Sequence, residues 1–442
     1  MTISVPNYVT KCVAKLENNG FEAYVVGGAV RDCIMGNTPS DWDIATNADV
    51  KTVGNLFPKH FDTGIKHGTV TVLSDGNAVE ITTYRIDGIY SDSRHPEKVT
   101  FTDRIELDLS RRDFTVNAIA YNEKRGIVDP YGGINDIEKR IIRTVGNPDK
   151  RFNEDALRIM RCVRFSAKLD FEIEEKTFSS VKRNAFLLKN ISAERIKHEL
   201  DLFLLSQRKE KLLAKSGICD VILPELQRCF DVEQNNPHHC YNVGEHTFKA
   251  LENAQGNLYV RYAVLLHDIG KTDTKTTDEN GVDHFYSHSL RSYDMAREIL
   301  NRLKMDNKTK DYVLTLIKCH DIRPEPNTKS LKRFLRKHPN IDFYDYTAVR
   351  KADVMGQDPS VLNKSLENIS ELQKAYEKII FEKQPFLPKD LEIDGNDLKK
   401  IGFCGKEIGD IISMLLDTVL DNPSLNDKNT LYNLAKDIYS RR

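Results

Sequence analysis

The chain has no Cys-x-x-Cys pair. Its eight cysteines stand apart at positions 12, 33, 162, 219, 229, 240, 319 and 404. That spacing excludes a zinc ribbon and offers no disulfide framework, so the cysteines read as small apolar residues of a reducing compartment. No apolar run approaches the roughly 20 residues of a membrane-spanning helix. The first residues, MTISVPNYVTKCVAKLENNG, lack the apolar segment of a signal peptide, and a cytoplasmic protein without membrane contact is expected. Net charge is missing too: 65 Lys and Arg against 66 Asp and Glu leave −1. Whole-chain electrostatics therefore favour neither nucleic acid nor a lipid surface, and any basic site has to be local. There is no repeat of roughly 20 to 50 residues, which argues against a solenoid or propeller. Tryptophan occurs once, as Trp42 between Asp41 and Asp43.

What is present suffices for several cores. A length of 442 residues with 40% apolar content suggests two to four domains. Residues 5 to about 18 have helical spacing and end at Asn19-Gly20, a usual helix stop. EAYVV reads as a strand, Gly27-Gly28 as a tight turn, AVRDCIMG as a helix. SDWDIAT, GTVTVLS, AVEITTYRI and FTVNAIAYN read as β-rich segments. The first 145 or so residues are therefore mixed α/β. After about 148 helical spacing takes over, with Leu157, Met160 or Ile159, Val163 and Leu169 on one helix face. Proline and glycine breaks place boundaries at 215–240 and 385–395.

Asp41 and Asp43, on a strand, project to one side about 7 Å apart at their Cα atoms. Two carboxylates so close suit a divalent cation, and Mg2+ favours carboxylate and phosphate oxygens. Such a pair can hold metal against a nucleoside triphosphate. Glu80 is a third candidate carboxylate from a neighbouring strand. An isolated D-x-D is common in solvated turns, so its neighbours carry the weight. Gly27-Gly28 between strand and helix lets the backbone approach a phosphate, and Arg31 can pair with one. Arg111 and Arg112, in SRRDFTVNAIAY, are candidates for contacts to phosphates or to the Asp pair. Asp113 is a candidate for a ribose hydroxyl, and Asn117 for the backbone or the triphosphate.

A basic patch hidden by the net charge spans 139–164, with eight Lys and Arg against three acids. Asp155, Arg158 and Arg161 step by three along an expected helix. One reading is a run of i,i+3 surface ion pairs. The other uses base chemistry: cytosine and adenine both present an amino donor beside a ring-nitrogen acceptor. A carboxylate and a guanidinium can match that pattern and reject uracil and guanine.

These motifs together, VVGGAVRDCIMGNTPSDWDIAT, TGIKHGTVTV, VEITTYR, LSRRDFTVNAIAY, DPYGGINDIEKRIIRTVGNPDKRFNEDALRIMRCVRF and, more weakly, ISAERIKHEL, make the chain resemble the bacterial class II CCA tRNA nucleotidyltransferases. The resemblance implies an α/β nucleotidyltransferase head of the DNA polymerase beta-like superfamily, followed by an all-α neck, an HD-containing body and a tail. The implied division is head 1–147, neck 148–215, body 216–384 and tail 385–442. It implies addition of C, C and A to tRNA 3′ ends from CTP and ATP, with pyrophosphate released. Asp41 and Asp43 would hold Mg2+ and, with Glu80, form the catalytic group. Gly28, Arg31, Arg112, Asp113, Asn117, Asp155, Arg158, Arg161 and Arg164 would bind nucleotide. Poly(A) polymerases and A-adding enzymes share the head, and both remain open readings. Asp92, Arg94 and Pro96 match the family's flexible loop, which argues against CC-only addition.

A second constellation follows. LLHDIGK, with His246 upstream, resembles the HD phosphohydrolases, whose ligand order is H…HD…D. His246, His267, Asp268 and Asp353 are the candidate ligands of a second divalent ion, Ni2+, Mn2+, Zn2+ or Mg2+. His288 and His320 fall where relatives have further histidines. The site implies hydrolysis of phosphomonoesters or 2′,3′-cyclic phosphates, either beside nucleotidyl transfer or as the main activity, or else a retained fold that shapes the body. The C-terminal turn KKIGFCGKEIG is a candidate contact to the tRNA backbone.

Overall fold

The computed structural model describes residues 3–64, 68–88, 99–235 and 240–441. Lys66 and His67 of TGIKHGTVTV, and the loop residues Asp92, Arg94 and Pro96, lie outside the described residues. The chain divides into two compact units, Met1–Pro224 and Glu225–Arg442.

The first unit opens with α1 (Asn7–Glu17), which buries Val9, Cys12 and Leu16. A seven-stranded mixed sheet follows in the order β3-β4-β5-β2-β1-β8-β9. Its strands are β1 (Ala23–Val26), β2 (Asp43–Thr46), β3 (His60–Gly64), β4 (Thr69–Ser74), β5 (Asn77–Thr83), β8 (Ala120–Asn122) and β9 (Gly126–Val128), with β6 (Arg85–Asp87) and β7 (Val99–Phe101) forming a separate ribbon. The central strands β1 and β2 are mostly apolar and buried, apart from Asp43 at the edge and Thr46, whose hydroxyl donates to Glu22 O. β2 runs antiparallel to β1, pairing Val26 with Asp43, and parallel to β5, pairing Asp43 with Glu80. Helices α2 (Gly28–Ile34), α3 (Val50–Leu56), α4 (Ile105–Ser110) and α5 (Gly133–Glu138) complete the α/β layer. Its core includes Tyr24, Val26, Ala45, Tyr84, Leu109 and Ala120.

FTVNAIAYN is not one strand. Thr115–Asn117 form a 3-10 turn before β8, because Asn117 and Asp113 bond each other across four residues and close the chain locally. The two-stranded parallel pair β10 (Ile141–Ile142) and β11 (Glu172–Ile173) brackets α6 (Pro148–Glu154) and α7 (Leu157–Leu169). α8 (Glu175–Asn184), α9 (Ala193–Ser206) and three short helices, α10 (Leu212–Lys215), α11 (Cys219–Ile222) and α12 (Pro224–Gln227), follow. Leu157, Ile159, Met160, Val163 and Leu169 are all buried, as helical spacing predicts.

The second unit is helical. Its principal helices are α13 (Val243–Asn253), α14 (Leu258–Leu266), α15 (Lys271–Thr274), α16 (His288–Arg302), α17 (Asn307–Cys319), α18 (Thr328–Lys337), α19 (Phe343–Met355) and α20 (Pro359–Phe381). A short hairpin, β12 (Thr276–Thr277) with β13 (Asp283–His284), precedes α16. The chain ends in α21 (Gly395–Ile401), α22 (Lys406–Asp421) and α23 (Lys428–Ser440), whose facing sides make a separate apolar cluster from Leu391 to Ala435. Among the described residues, no helix is long and apolar enough to cross a membrane.

Leu415 is 1% exposed at the centre of that C-terminal cluster. Leu415→Ala removes its burial and leaves a cavity, and should cost about 2–5 kcal/mol in urea unfolding of this part of the chain. Little change would mean that the cluster collapses around the gap.

Candidate active site and metal centre

In the first unit, a cleft of about 510 Å³ is lined by the Gly27-Gly28 turn, Asp41 and Asp43, the Arg111–Asp113 stretch, Asn117, and Asp155, Arg158, Arg161 and Arg164. Among the described residues, the fold thus gathers every catalytic and nucleotide-binding candidate of the head and neck except Glu80, which stands beside Asp43 on β5 and is not part of the wall. Gly27 sits at φ +73, and a Cβ there would meet Arg112 Nη1 at 2.7 Å. Glycine is required both by that backbone conformation and by the guanidinium packed on it.

One expectation about the carboxylates is corrected. Only Asp43 is in the strand, which begins with it; Asp41 precedes it, exposed and accepting a bond from Ser40 Oγ at 2.9 Å. β1 has ended opposite Asp43, so no ladder extends to Asp41. Both still face the cleft, while Trp42 is buried at 5% exposure. Burial raises the Asp43 carboxyl; Arg112 pulls it back, Glu80 and Asp41 push it up, and it comes to about 6. That is the signature of a carboxylate short of positive charge.

The second correction concerns the base-reading helix. Asp155, Arg158 and Arg161 do not step along one helix. α6 ends at Glu154, and Asp155 is extended at φ −139, ψ 104. Its Oδ1 accepts from Leu157 N at 3.1 Å, capping the start of α7, an interaction available to Asp at a helix start. Nor do i,i+3 pairs form among these three. Asp155 Oδ2 accepts from Arg195 at 3.0 Å. Arg158 donates to Glu154 at 2.8 Å and to the carbonyls of Arg151 and Arg111. Arg161 donates to Asp113 at 2.8 Å, and Arg164 to Glu199 at 2.5 Å.

Asp113 is held ionised. Burial opposes its charge, but Arg161 and a bond from Asn117 outweigh this and bring its carboxyl down to about 2. Asn117 also accepts from Arg31 at 2.5 Å. The Arg112 guanidinium is incompletely satisfied: Asp108 is 3.7 Å away, and its Nε is buried without a hydrogen bond. Three residues went unremarked in the sequence. Glu199 and Arg195 on α9 anchor the α7 arginines and Asp155. Phe165 packs under Arg164, with 4.0 Å from guanidinium to ring centre. The ISAERIKHEL motif was the available signal for the first two.

In the second unit, the four expected HD ligands meet. His246 Nε2 lies 3.3 Å from His267 Nε2, 3.3 Å from Asp268 Oδ2 and 3.1 Å from Asp353 Oδ1. His288 and His320 join on the other side of Asp268, 3.4 and 3.7 Å from its Oδ1. Asp268 thus links two three-residue sets, His246–His267–Asp268 and Asp268–His288–His320. Among the described residues no further set of this kind occurs, and Asp41, Asp43 and Glu80 do not form one.

The donor chemistry fits metal. His246 Nδ1 is 3.0 Å from Gly356 O, His267 Nδ1 2.7 Å from Val264 O, His288 Nδ1 2.9 Å from Phe285 O, and His320 Nδ1 2.6 Å from Ile317 O. Each Nδ1–H donates to a carbonyl, which leaves Nε2 as the ring nitrogen turned toward the carboxylates and suited to serve as a ligand atom. Asp268 Oδ2 is buried without a well-aligned hydrogen bond, although Lys271 Nζ lies 2.7 Å from it.

Residues 23–143 match the sequence profile of the poly A polymerase head domain, 170–230 that of the probable RNA and SrmB-binding site of polymerase A, and 238–348 that of the HD domain. The CCA-adding enzyme of Ligilactobacillus salivarius is 32% identical over 430 residues, 97% of this chain and 95% of that protein. The chain belongs to the CCA-adding enzyme family. The CCA-adding enzyme of Geobacillus kaustophilus is 52% identical over 210 residues, 48% of this chain. In that match the chain spans about half the length of the relative, 50% of it, as it does with other Geobacillus relatives. The crystal structure of the Bacillus stearothermophilus CCA-adding enzyme in complex with CTP superimposes with a TM-score of 0.73 at 27% identity, covering 99% of each chain. A nucleotidyltransferase head followed by a helical region and an HD domain is therefore the architecture of this chain.

Asp43 has to be deprotonated to bind a cation. With its carboxyl at about 6, protons compete below that pH. The Mg2+ concentration giving half-maximal binding should rise about tenfold per pH unit below 6 and level off above 7. Titration of Mg2+ between pH 5 and 8 checks this; a flat profile would remove Asp43 from the metal site.

Proposed function

We propose that the protein is a template-independent tRNA nucleotidyltransferase that completes the CCA end, using CTP and ATP and releasing pyrophosphate. The observation that carries this reading is one cleft holding the Asp41–Asp43 pair, seven arginines and the base-reading candidates Asp155 and Arg158. The relative matched over nearly the whole chain is a CCA-adding enzyme, which disfavours A-only addition, poly(A) tailing and HD hydrolysis as the main activity. Cytoplasmic action on tRNA belongs to the same proposal.

Asp41 and Asp43 would hold Mg2+, which supplies activation of the attacking hydroxyl and charge neutralisation at the triphosphate. The tRNA 3′ oxygen attacks the α-phosphorus, its proton is lost to solvent, and the bond to the β-phosphate oxygen breaks. Arg112, half-buried and incompletely paired, is placed to bind phosphate, and Gly27 lets it lie flat against the turn. Asn117 keeps Arg31 extended into the cleft. Asp113, ionised and buried, fixes Arg161 and offers its remaining acceptor capacity to ribose. Asp155 accepts from the amino group of cytosine or adenine, and Arg158 donates to the ring nitrogen. Both now bond other residues, so base reading exchanges those contacts for bonds to the nucleotide. The division at 147, 215 and 384 assigns chemistry to the head, base choice to the neck and tRNA docking to the rest, KKIGFCGKEIG included.

The second unit supports an additional activity, metal-dependent phosphoester hydrolysis. The two linked ligand sets around Asp268 favour it. His246, His267, Asp268 and Asp353 would hold the first ion.

A tRNA transcript lacking CCA, incubated with CTP, ATP and Mg2+, should gain three residues. Asp43→Ala should lower the rate at least about 100-fold. Arg158→Ala should let UTP or GTP in while tRNA affinity changes less than about threefold, because a lost base contact relaxes selectivity by about 1–3 kcal/mol. No extension by the native chain refutes the proposal; an unchanged nucleotide profile in the Arg158 variant refutes the base-reading role.

A further inference from the structure

Four of the candidate ligands of the second unit, Asp268, His288, His320 and Asp353, line a cleft of about 530 Å³. Its rim carries a feature that metal binding does not use. Tyr286 is 72% exposed, yet its ring is stacked on His284, with centres 5.4 Å apart and planes 10° from parallel. A ring covered on one face can be that exposed only with its other face open.

The stack is held in place. His284 ends the β12–β13 hairpin, and its Nε2 lies 3.1 Å from Asp278 Oδ2 across the turn. Tyr286 is followed by Ser287 at φ +59, after which α16 begins with the ligand His288. The aromatic platform and a metal ligand are therefore two residues apart on one tightly turned segment, and both line the same cleft. Lys271 lines the cleft as well. It is 6% exposed, its Nζ is 2.7 Å from Asp268 and 2.8 Å from Gln234 Oε1, and it lies 5.3 Å from the Phe285 ring centre. An exposed flat ring beside a fixed cation and a cluster of imidazoles is a pairing of base-stacking surface with phosphate-binding charge.

We infer that Tyr286, backed by His284, stacks the base of a nucleoside phosphate whose phosphate group lies at the Asp268–His288–His320 end of the cleft, with Lys271 as an added cation. This rests on the reading of the second unit as a metal-dependent phosphoester site. The shared chemistry has two sources, a free mononucleotide and the phosphorylated 3′ end of an RNA.

The test is equilibrium binding by the full chain loaded with Mn2+. The probes are 3′-AMP, ribose 5-phosphate, inorganic phosphate and a short oligoribonucleotide ending in a 3′-phosphate. Retained Mn2+ is measured alongside. Binding in the head cleft is common to all variants, so the signal is the difference between the native chain and His267→Ala. We expect 3′-AMP to bind about tenfold more tightly than ribose 5-phosphate. Tyr286→Ala should abolish that advantage while leaving phosphate affinity and Mn2+ unchanged, and Tyr286→Phe should keep it. Tighter binding of the oligoribonucleotide than of 3′-AMP, with the same Tyr286 dependence, would identify RNA ends as the ligand; the reverse order would identify free nucleotides. Equal affinity for 3′-AMP and ribose 5-phosphate, or equal behaviour of native chain and Tyr286→Ala with Mn2+ retained, overturns the platform alone. Failure of the native chain to retain more Mn2+ than His267→Ala overturns the metal-site reading and the platform with it.

Discussion

Seven arginines, at 31, 111, 112, 158, 161, 164 and 195, face one cleft of the first unit, and their mutual repulsion has to be answered before the cleft can exist. The answer is a small set of acids, each serving more than one partner. Asp108 takes Arg111 at 2.8 Å and Arg112 at 3.7 Å. Asp113 and Glu199 share Arg161, and Glu199 also holds Arg164. Asp155 holds Arg195. These pairs tie the segment 108–117 of the α/β layer to α7 and α9, so the electrostatics of the site and the packing of helices on sheet are one arrangement. A buried ion pair broken on one side leaves an uncompensated charge, which is why such a network resists local change. It also explains how a chain with net charge −1 gathers seven arginines at one cleft: of the acids that pair with them, Asp113 and Asp155 share the wall while Asp108 and Glu199 are buried outside it.

The same network sets a condition on base reading. A template made of a free carboxylate and a free guanidinium would be mobile, and a mobile template discriminates poorly because ordering it costs conformational entropy. Here Asp155 is fixed by Leu157 N and Arg195, and Arg158 by Glu154 and two carbonyls. If Asp155 and Arg158 read the base as proposed, bonds to it would replace bonds already made, so the net gain per contact would be modest and a mismatched base, which would leave a donor or acceptor unpaired, would be penalised by about 1–3 kcal/mol. Discrimination would then come from the cost of the wrong base more than from the attraction of the right one.

How much of this was legible in the sequence differs by feature. The α/β layer, the helical remainder and the face of α7 follow from periodicity, and Gly27-Gly28, Asp41, Asp43 and Asp155 were visible as local patterns. The break between α6 and α7 was not. Asn153 to Leu157 contains no proline or glycine, so helical spacing runs through it; only the preference of Asp for a helix start marks Asp155. The start of β2 at Asp43 was equally hidden, because it depends on where β1 ends and not on the residues of SDWDIAT. In the second unit the adjacent His267-Asp268 announced itself, whereas the role of His288 and His320 arises only when α16 and α17 bring two isolated histidines, 32 residues apart, to an Nε2 separation of 3.2 Å.

The two units hold charge by different means, and the second shows why its histidines need no dedicated scaffold. His267 and His320 are the C-terminal caps of α14 and α17. At a helix end the last carbonyls have no partner within the helix. Each imidazole donates a bond there through its Nδ1, to Val264 O and Ile317 O three residues back, the latter also accepting from His320 N at 3.4 Å. The bond that completes the helix therefore also fixes the tautomer and aims Nε2 at Asp268. Gly356 does the same for His246 from the end of α19, and a Cβ there would press within 2.9 Å of His246 Nδ1. Ligand geometry is in this way a by-product of helix termination, so the cluster persists as long as the helices stop where they do, whatever chemistry the cleft above it performs.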